Sequence, residues 1–197
     1  MISQSSKALK PDDPRIDQEL LQNGDRRNVV DKYRFWSNEA IKADMQSHAT
    51  DLEVAIENLT HDFNIGTVVR NANAFNVRKV HIIGRKQWNK RGAMVTNRYL
   101  EIEHHATIDD FLQSIDADYQ LIAIDNQDGA QNLTQFNLPQ KSILIFGSES
   151  DGISPESLSK TSAMVQIEQL GSTRSVNVGV ASGIAMYEWT RRHIFTK

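Results

Sequence analysis

Ser142-Ile143-Leu144-Ile145-Phe146 runs directly into Gly147-Ser148-Glu149-Ser150-Asp151-Gly152-Ile153-Ser154-Pro155. The first five residues read as a short buried strand. The polar stretch between Gly147 and Gly152 reads as a loop. Ser154 ahead of Pro155 reads as the cap and first turn of a helix over residues 155–160. The same grammar repeats outward in both directions. Residues 52–56, 79–83, 121–124 and 163–167 read as strands, and residues 64–75, 108–115 and 176–192 as helices. Ile65, Val68, Val69, Ala72 and Phe75 share one side of the first helix. In the last, Val180, Ala181, Ile184, Ala185 and Tyr187 or Glu188 recur at helical spacing. Strands alternating with helices imply an α/β fold with a mainly parallel sheet flanked by helices. Ligands of such sheets sit beyond the carboxyl ends of the strands, so the loops after Ile56, Ile124, Phe146 and Ile167 are the ones to read.

The 197 residues fit one compact domain, here residues 51–197, with residues 1–50 as an extension. The extension starts with a polar tail and carries an aromatic cluster, Tyr33, Phe35 and Trp36. Its helix over residues 38–48 puts Ala40, Ile41, Ala43 and Met45 on one broad face. A net charge of -3 does not announce a nucleic-acid binder, which leaves that role to a local patch. The absence of cysteine excludes disulfides, thiolate zinc sites, iron–sulfur clusters and a cysteine nucleophile. No apolar run approaches the roughly 20 residues of a membrane span. The first fifteen residues lack the apolar core of a signal peptide, so a soluble cytoplasmic protein is expected.

Each loop has an ordinary reading beside a functional one. Asn64-Ile65-Gly66-Thr67-Val68-Val69-Arg70-Asn71 fits an amphipathic helix with an exposed arginine, capped by Asn64, as well as it fits a site. Gly147 and Gly152 fit a glycine turn or a backbone approaching a ligand. The loop is neither G-x-G-x-x-G nor a Walker loop, which argues against a phosphate cradle. It is also not G-x-S-x-G, so Ser148 and Ser150 are poor nucleophiles. Glu168-Gln169-Leu170-Gly171-Ser172-Thr173-Arg174-Ser175-Val176-Asn177 feeds a small-residue helix with Gly179 and Gly183 four apart, a pattern for close packing. Ser175 is the simplest cap for that helix.

Taken in order, Asn64-x-Gly66-x-x-x-Arg70, Gly147-x-Glu149-x-x-Gly152 and Ser175-x-Asn177-x-x-x-Ala181 resemble the SpoU (TrmH-like) RNA 2′-O-ribose methyltransferases of the SPOUT superfamily. The resemblance spans residues 51–192. It departs from the family at Glu168-Gln169, where Pro-Met is usual, and at Val176, where leucine is common. It implies a carboxy-terminal trefoil knot, a homodimer, and S-adenosylmethionine held in the knot loops. By that analogy the cofactor lies against Gly147, Glu149, Ile167, Leu170, Val176 and Asn177, with Asp125 and Asn126 contributing. It also implies methyl transfer to a ribose 2′-hydroxyl of tRNA or rRNA, with Arg70, Glu149, Asn64, Ser175 and Asn177 at the reacting centre. Arginine stays protonated in proteins, so Arg70 reads as a cation that steadies a developing alkoxide rather than as a base. Glu149 is placed to orient it.

An RNA enzyme with this net charge needs a local cationic surface. Arg85-Lys86-Gln87-Trp88-Asn89-Lys90-Arg91-Gly92 offers four cations around an indole able to stack on an unpaired base. The other reading is a solvated loop with Trp88 folded onto the core. Arg26, Arg27, Lys32, Tyr33, Arg34 and Trp36 form a second cluster, whose aromatics read as docking the extension on the domain. Among the six histidines, His104 and His105 point opposite ways on a strand. His48, His61, His81 and His193 lack ligand-like spacing, so no metal site is expected. Two rival functions remain: a non-catalytic dimeric RNA-binding module with the same fold, and an RNA base methyltransferase.

Overall fold

A computed structural model describes residues 12–59, 64–148 and 151–196. Glu149, His61 and the tail over residues 1–11 lie outside the described residues. Seven strands form one sheet: β1 (Leu52–Asn58), β2 (Lys79–Gly84), β3 (Ile102–His105), β4 (Gln120–Ile124), β5 (Gln131–Asn132), β6 (Ser142–Phe146) and β7 (Ala163–Gln166). Their spatial order is β3-β2-β1-β6-β4-β7-β5, and every neighbouring pair is parallel. The register places Leu52 opposite Ser142 and Ala123 opposite Ile145. Both β1 and β6 are buried along their whole length, and β6 from Ile143 to Phe146 reads as a continuous apolar run rather than an alternating one.

Among the described residues six α-helices accompany the sheet: α1 (Gln18–Asn23), α2 (Asn38–Ser47), α3 (Ile65–Ala74), α4 (Ile108–Ser114), α5 (Pro155–Leu158) and α6 (Val178–Thr190). Two cores result. Val54, Ile56, Val80, Ile82, Leu144 and Phe146 pack toward α3 and α6, while Ala55, Ile83, Ile143 and Ile145 pack toward α4. Ile16, Trp36, Ile41 and Met45 are buried in the first core, so the extension shares the domain's interior. Arg15 stacks over Trp36 at 4.2 Å from the ring centroid. Only Ile41 and Met45 of α2 are buried, and Ala43 is exposed, which makes the face of that helix narrower than its sequence suggests.

Ser154 caps α5 as expected, accepting from Ser157 N. Other expectations are corrected. Helix α6 starts at Val178, because Asn177 Oδ1 takes the Gly179 and Val180 amides, and Ser175 stays exposed outside it. Asn64 precedes α3 without a side-chain cap bond. The apolar stripe Val180, Ile184 and Tyr187 is exposed, and Gly179, Ser182, Ala185, Met186 and Trp189 face inward. The small inward residues let α6 cross α3 closely: Asn71 Nδ2 donates to Gly179 O (2.8 Å) and Ser182 Oγ (3.0 Å). Strand β3 escapes pattern reading because its edge position tolerates Glu103 and His104.

The histidine expectation is also corrected. His104 and His105 do point apart, yet the β2–β3 register brings His105 to His81, with Nε2 3.0 Å from Nδ1. Spacing along the chain gives no sign of a pair made across strands. Burial, then the neighbouring His81, lower the His105 pKa from the usual imidazole value.

After α6 the chain continues through a π-turn over Arg191–Phe195. Arg192 donates to Glu188 Oε1 (2.6 Å), Leu133 O (2.6 Å) and Phe136 O, which ties the carboxy-terminal helix to the stretch following β5. The bond from Arg191 Nε to Glu188 Oε2 (2.8 Å), with help from Arg192, lowers the Glu188 pKa from 4.5 to about 2. A depressed carboxyl pKa stabilises the fold above the unfolded-state value, and that contribution disappears as pH falls from about 4.5 toward about 2. Glu188→Gln is therefore expected to lower stability by about 1 kcal/mol at pH 7, with the difference vanishing near pH 2. Urea unfolding of both proteins along that pH range checks it.

Candidate active site

Strands β6, β4 and β7 are neighbours, so Gly147, Asp125 and Ile167 leave the sheet side by side at its carboxyl edge. A cleft of about 820 Å³ opens there, within the usual size range of small-molecule sites. Ile124, Ile153, Leu158, Ile167, Val176 and Val178 supply apolar wall, and Asp125, Asn126, Gln169, Arg174 and Asn177 supply polar groups.

The loop after β6 is folded back on itself. Ser148 and Gly152 exchange backbone hydrogen bonds, Ser148 N to Gly152 O at 3.0 Å and Gly152 N to Ser148 O at 3.1 Å. A Cβ on Gly147 would lie 2.0 Å from the Gly152 carbonyl, so only glycine fits. Gly152 has φ +69°, in the left-handed region, and sits against Asp125. Asp125 spends its carboxylate on the loops: Oδ2 accepts from Ile153 N (3.0 Å) and Gln127 Nε2 (3.1 Å), and Oδ1 from Asn126 N (2.7 Å). Asn126 Nδ2 in turn donates to Arg174 O, joining the loops after β4 and β7.

Glu57, at the end of β1, anchors this loop from beneath and was not foreseen from sequence. Its buried carboxylate accepts from Ser154 N (2.7 Å), Ser154 Oγ (2.6 Å) and Ser157 Oγ (2.7 Å). The signal in the sequence is a pair of glutamates, Glu53 and Glu57, in a strand that is buried along its whole length. Glu57→Ala is expected to cost about 3 kcal/mol, because three partly or fully buried donors lose their acceptor. A fall in the urea unfolding midpoint measures it.

Asp125, Asn126, Gly147, Ile167, Ser175, Val176 and Asn177 all line the cleft. Leu170 does not, since its side chain is fully exposed. Gln169, Arg174, Asp151 and Ile153 also line it, from the same loops that follow β6 and β7, and no local pattern marks them. Gln169 Oε1 is buried without a hydrogen-bond partner, an acceptor left for a ligand. It stands at one of the two positions where the chain departs from the resembled family.

Asn177 links the cleft to α3. Besides capping α6, its Nδ2 donates to Asn64 Oδ1 at 3.2 Å. Arg70 does not line the cleft. It is exposed, six residues beyond Asn64, an axial rise of about 9 Å. Among the described residues Arg70 makes no hydrogen bond or ion pair. One turn before it, Gly66 packs on the backbone of the basic loop, where a Cβ would lie 2.8 Å from Ala93 N. Helix α3 thus seats the loop that carries the cations. Asn58 Nδ2 holds that loop by donating to Arg85 O (2.6 Å) and Gln87 O (3.0 Å). Arg85, Lys86, Lys90 and Arg91 are exposed. Trp88 is half-buried against the core, with Lys90 Nζ 5.9 Å from its ring centroid.

The model of the SpoU rRNA methylase family matches residues 51–187. The tRNA (guanosine(18)-2′-O)-methyltransferase of Escherichia coli is 27% identical over 146 residues, which cover 72% of this chain. The match spans 64% of that relative's length, a little under two thirds. Among solved structures, the TrmH/SpoU tRNA modifying enzyme of A. aeolicus is similar in fold, with a TM-score of 0.70 and 22% identity. That match covers 81% of this chain and 83% of the other. The SpoU methyltransferase AviRb from Streptomyces viridochromogenes, solved with AdoMet, gives a TM-score of 0.67 at 22% identity. Here 77% of this chain and 61% of the other are covered.

Proposed function

This chain belongs to the SpoU rRNA methylase family, and from that premise we propose that it is an S-adenosylmethionine-dependent methyltransferase acting on a ribose 2′-hydroxyl of tRNA or rRNA. One observation carries the proposal: the Asn177–Asn64 contact couples the cleft to α3, the helix that presents the exposed Arg70. The cleft suits the cofactor. Its size and apolar walls fit a nucleoside, and Gln169 Oε1 and the glycine-bordered backbone offer acceptors to an adenine edge. S-adenosylmethionine bound there supplies a methyl group on a sulfonium, already activated for transfer.

The chain's own task is to position a sugar oxygen and manage its charge. Arg70 meets the negative charge that develops on the 2′-oxygen, and its planar fork also suits the adjoining phosphate. The hydroxyl proton leaves to that phosphate or to water, since guanidinium cannot accept it. Asn64, Ser175 and Asn177 position the substrate side, and Glu149 orients Arg70. Asp125, Asn126, Gly147, Ile167, Val176 and Asn177 hold the cofactor. Leu170 joins them only through movement of its loop.

Arg85, Lys86, Lys90 and Arg91 bind phosphates, and Trp88 offers its free face to a base. Lys90→Ala with Arg91→Ala is expected to weaken RNA binding and to shrink the slope of log affinity against log salt by roughly 1.5 to 2. Titration of RNA at several salt concentrations reads both. Residues 51–197 form the methyltransferase domain and residues 1–50 its extension, with the trefoil knot near the carboxyl end. The exposed Val180, Ile184 and Tyr187, with Phe195 beyond them, supply the face of a cytoplasmic homodimer. No helix among the described residues is long and apolar enough to cross a membrane.

Incubation with methyl-labelled S-adenosylmethionine and total RNA tests the function. Label in RNA whose adjacent phosphodiester resists alkali is expected. Label in a base points to base methylation instead, and RNA binding without cofactor binding points to a non-catalytic module.

A further inference from the structure

The cluster at the β2–β3 edge lies on the α4 side of the sheet, away from the cleft over β6, β4 and β7. His81 Nδ1 and His105 Nε2 are 3.0 Å apart. Glu103 Oε2 lies 3.8 Å from the first and 3.9 Å from the second. We propose that His81, His105 and Glu103 form a binding site for a divalent transition-metal ion, best suited to Zn²⁺. It is a site separate from methyl transfer.

Three features carry this. The first is size. A single point lies about 2.1 Å from all three atoms, the distance at which Zn²⁺ binds imidazole nitrogen and carboxylate oxygen. The second is support around the ligands. His81 Nε2 is 3.0 Å from Glu53 Oε2, so the remote ring N–H has its carboxylate and the Nδ1 lone pair faces the site. Metal-binding histidines use this arrangement to fix tautomer and raise basicity. Lys79 Nζ holds Glu103 Oε1 at 2.9 Å, which turns Oε2 toward the imidazoles. Phe111 packs edge-on against both rings, 4.9 Å and 5.5 Å between centroids, and fixes their planes. The third is access. Both imidazoles are buried, but the Glu103 side chain is 35% exposed, which leaves one side open for entry and for a water as fourth ligand.

Without metal, the short His81–His105 contact needs one shared proton. An ion binding both lone pairs moves that proton to the far nitrogen of the His105 ring, so uptake needs a change of tautomer and no net proton release from the pair. Before the ion binds the surroundings are balanced, Glu103 against Lys79 at 2.9 Å and Glu53 against Arg78 at 3.7 Å. The bound ion would clasp edge strand β3 to β2, a staple made without cysteine.

The test is calorimetric titration of the chelator-treated full chain with ZnCl₂, with Co²⁺ absorption as a second readout. One ion per chain is expected, with a Tm that rises with metal concentration. Cobalt should show the visible bands of a four-coordinate site. Glu103→Gln should weaken binding at least tenfold, and His105→Gln more than a hundredfold. Glu53→Gln, which acts through His81, should weaken it 10- to 100-fold. His104→Gln should leave it unchanged. If His105→Gln fails to fold, the half-exposed Glu103 decides. Less than one ion per chain, or equal affinity in wild type and Glu103→Gln, overturns the site.

Discussion

Gly147→Ala is expected to abolish S-adenosylmethionine binding and to lower stability by about 3 kcal/mol or more. The added carbon would meet the Gly152 carbonyl carbon and oxygen at 2.0 Å and Ile153 N at 2.2 Å. All three are backbone atoms, so no rotamer change relieves the collision. The loop must open, which breaks the Ser148–Gly152 bridge and pulls Ile153 N from Asp125. The walls of the cleft are lost with it. Gly171→Ala is the control: nothing lies within 4 Å of its added carbon, and its effect should stay within about 0.5 kcal/mol. Calorimetry with the cofactor and urea unfolding of both variants decide the matter. Wild-type cofactor affinity in Gly147→Ala would remove this loop from the binding site.

Arg70→Ala is expected to slow methyl transfer by about 10²–10³-fold while leaving the cofactor dissociation constant within twofold. The reasoning is positional. Arg70 lies off the cleft, so its loss removes nothing that touches a ligand there, and it is exposed and leaves no partner stranded among the described residues. The substitution should therefore leave folding intact, and the whole effect should fall on the rate. Arg70→Lys keeps the charge but loses the fork and should recover only part of it. Single-turnover transfer to RNA, beside calorimetry with the cofactor, separates the two steps. A large loss of cofactor affinity would relocate Arg70 to the cofactor site.

Local pattern reveals most of the elements here and little of what joins them. Ser142–Phe146 is bounded by turn residues and buried on both faces, so its run is unmistakable. Gly147, Asp125 and Ile167 are legible as cleft residues because they follow strands, and parallel sheets place strand ends together. Leu170 follows a strand too, yet chain position does not say which way a loop side chain turns. Helix α6 shows the same gap. It is apolar around its whole circumference, so periodicity cannot tell the stripe facing α3 from the exposed one. The answer depends on Asn71 reaching Gly179 and Ser182, a contact across more than 100 residues. His81 and His105 meet through strand register, and Glu57 meets Ser154 across the sheet's carboxyl edge. None of these contacts leaves a mark in local spacing.

The pairing of Leu52 with Ser142 has a consequence for how the chain is made. At about 5–20 residues per second of translation, β1 emerges roughly 5–18 s before its central partner exists. Through that interval one rim of a ribbon containing Val54 and Ile56 stays unzipped, open to a foreign strand. With every ladder in the sheet parallel, no tight hairpin is available to nucleate the structure early. Renaturation from urea should therefore be slow, and its yield should drop steeply as protein concentration rises.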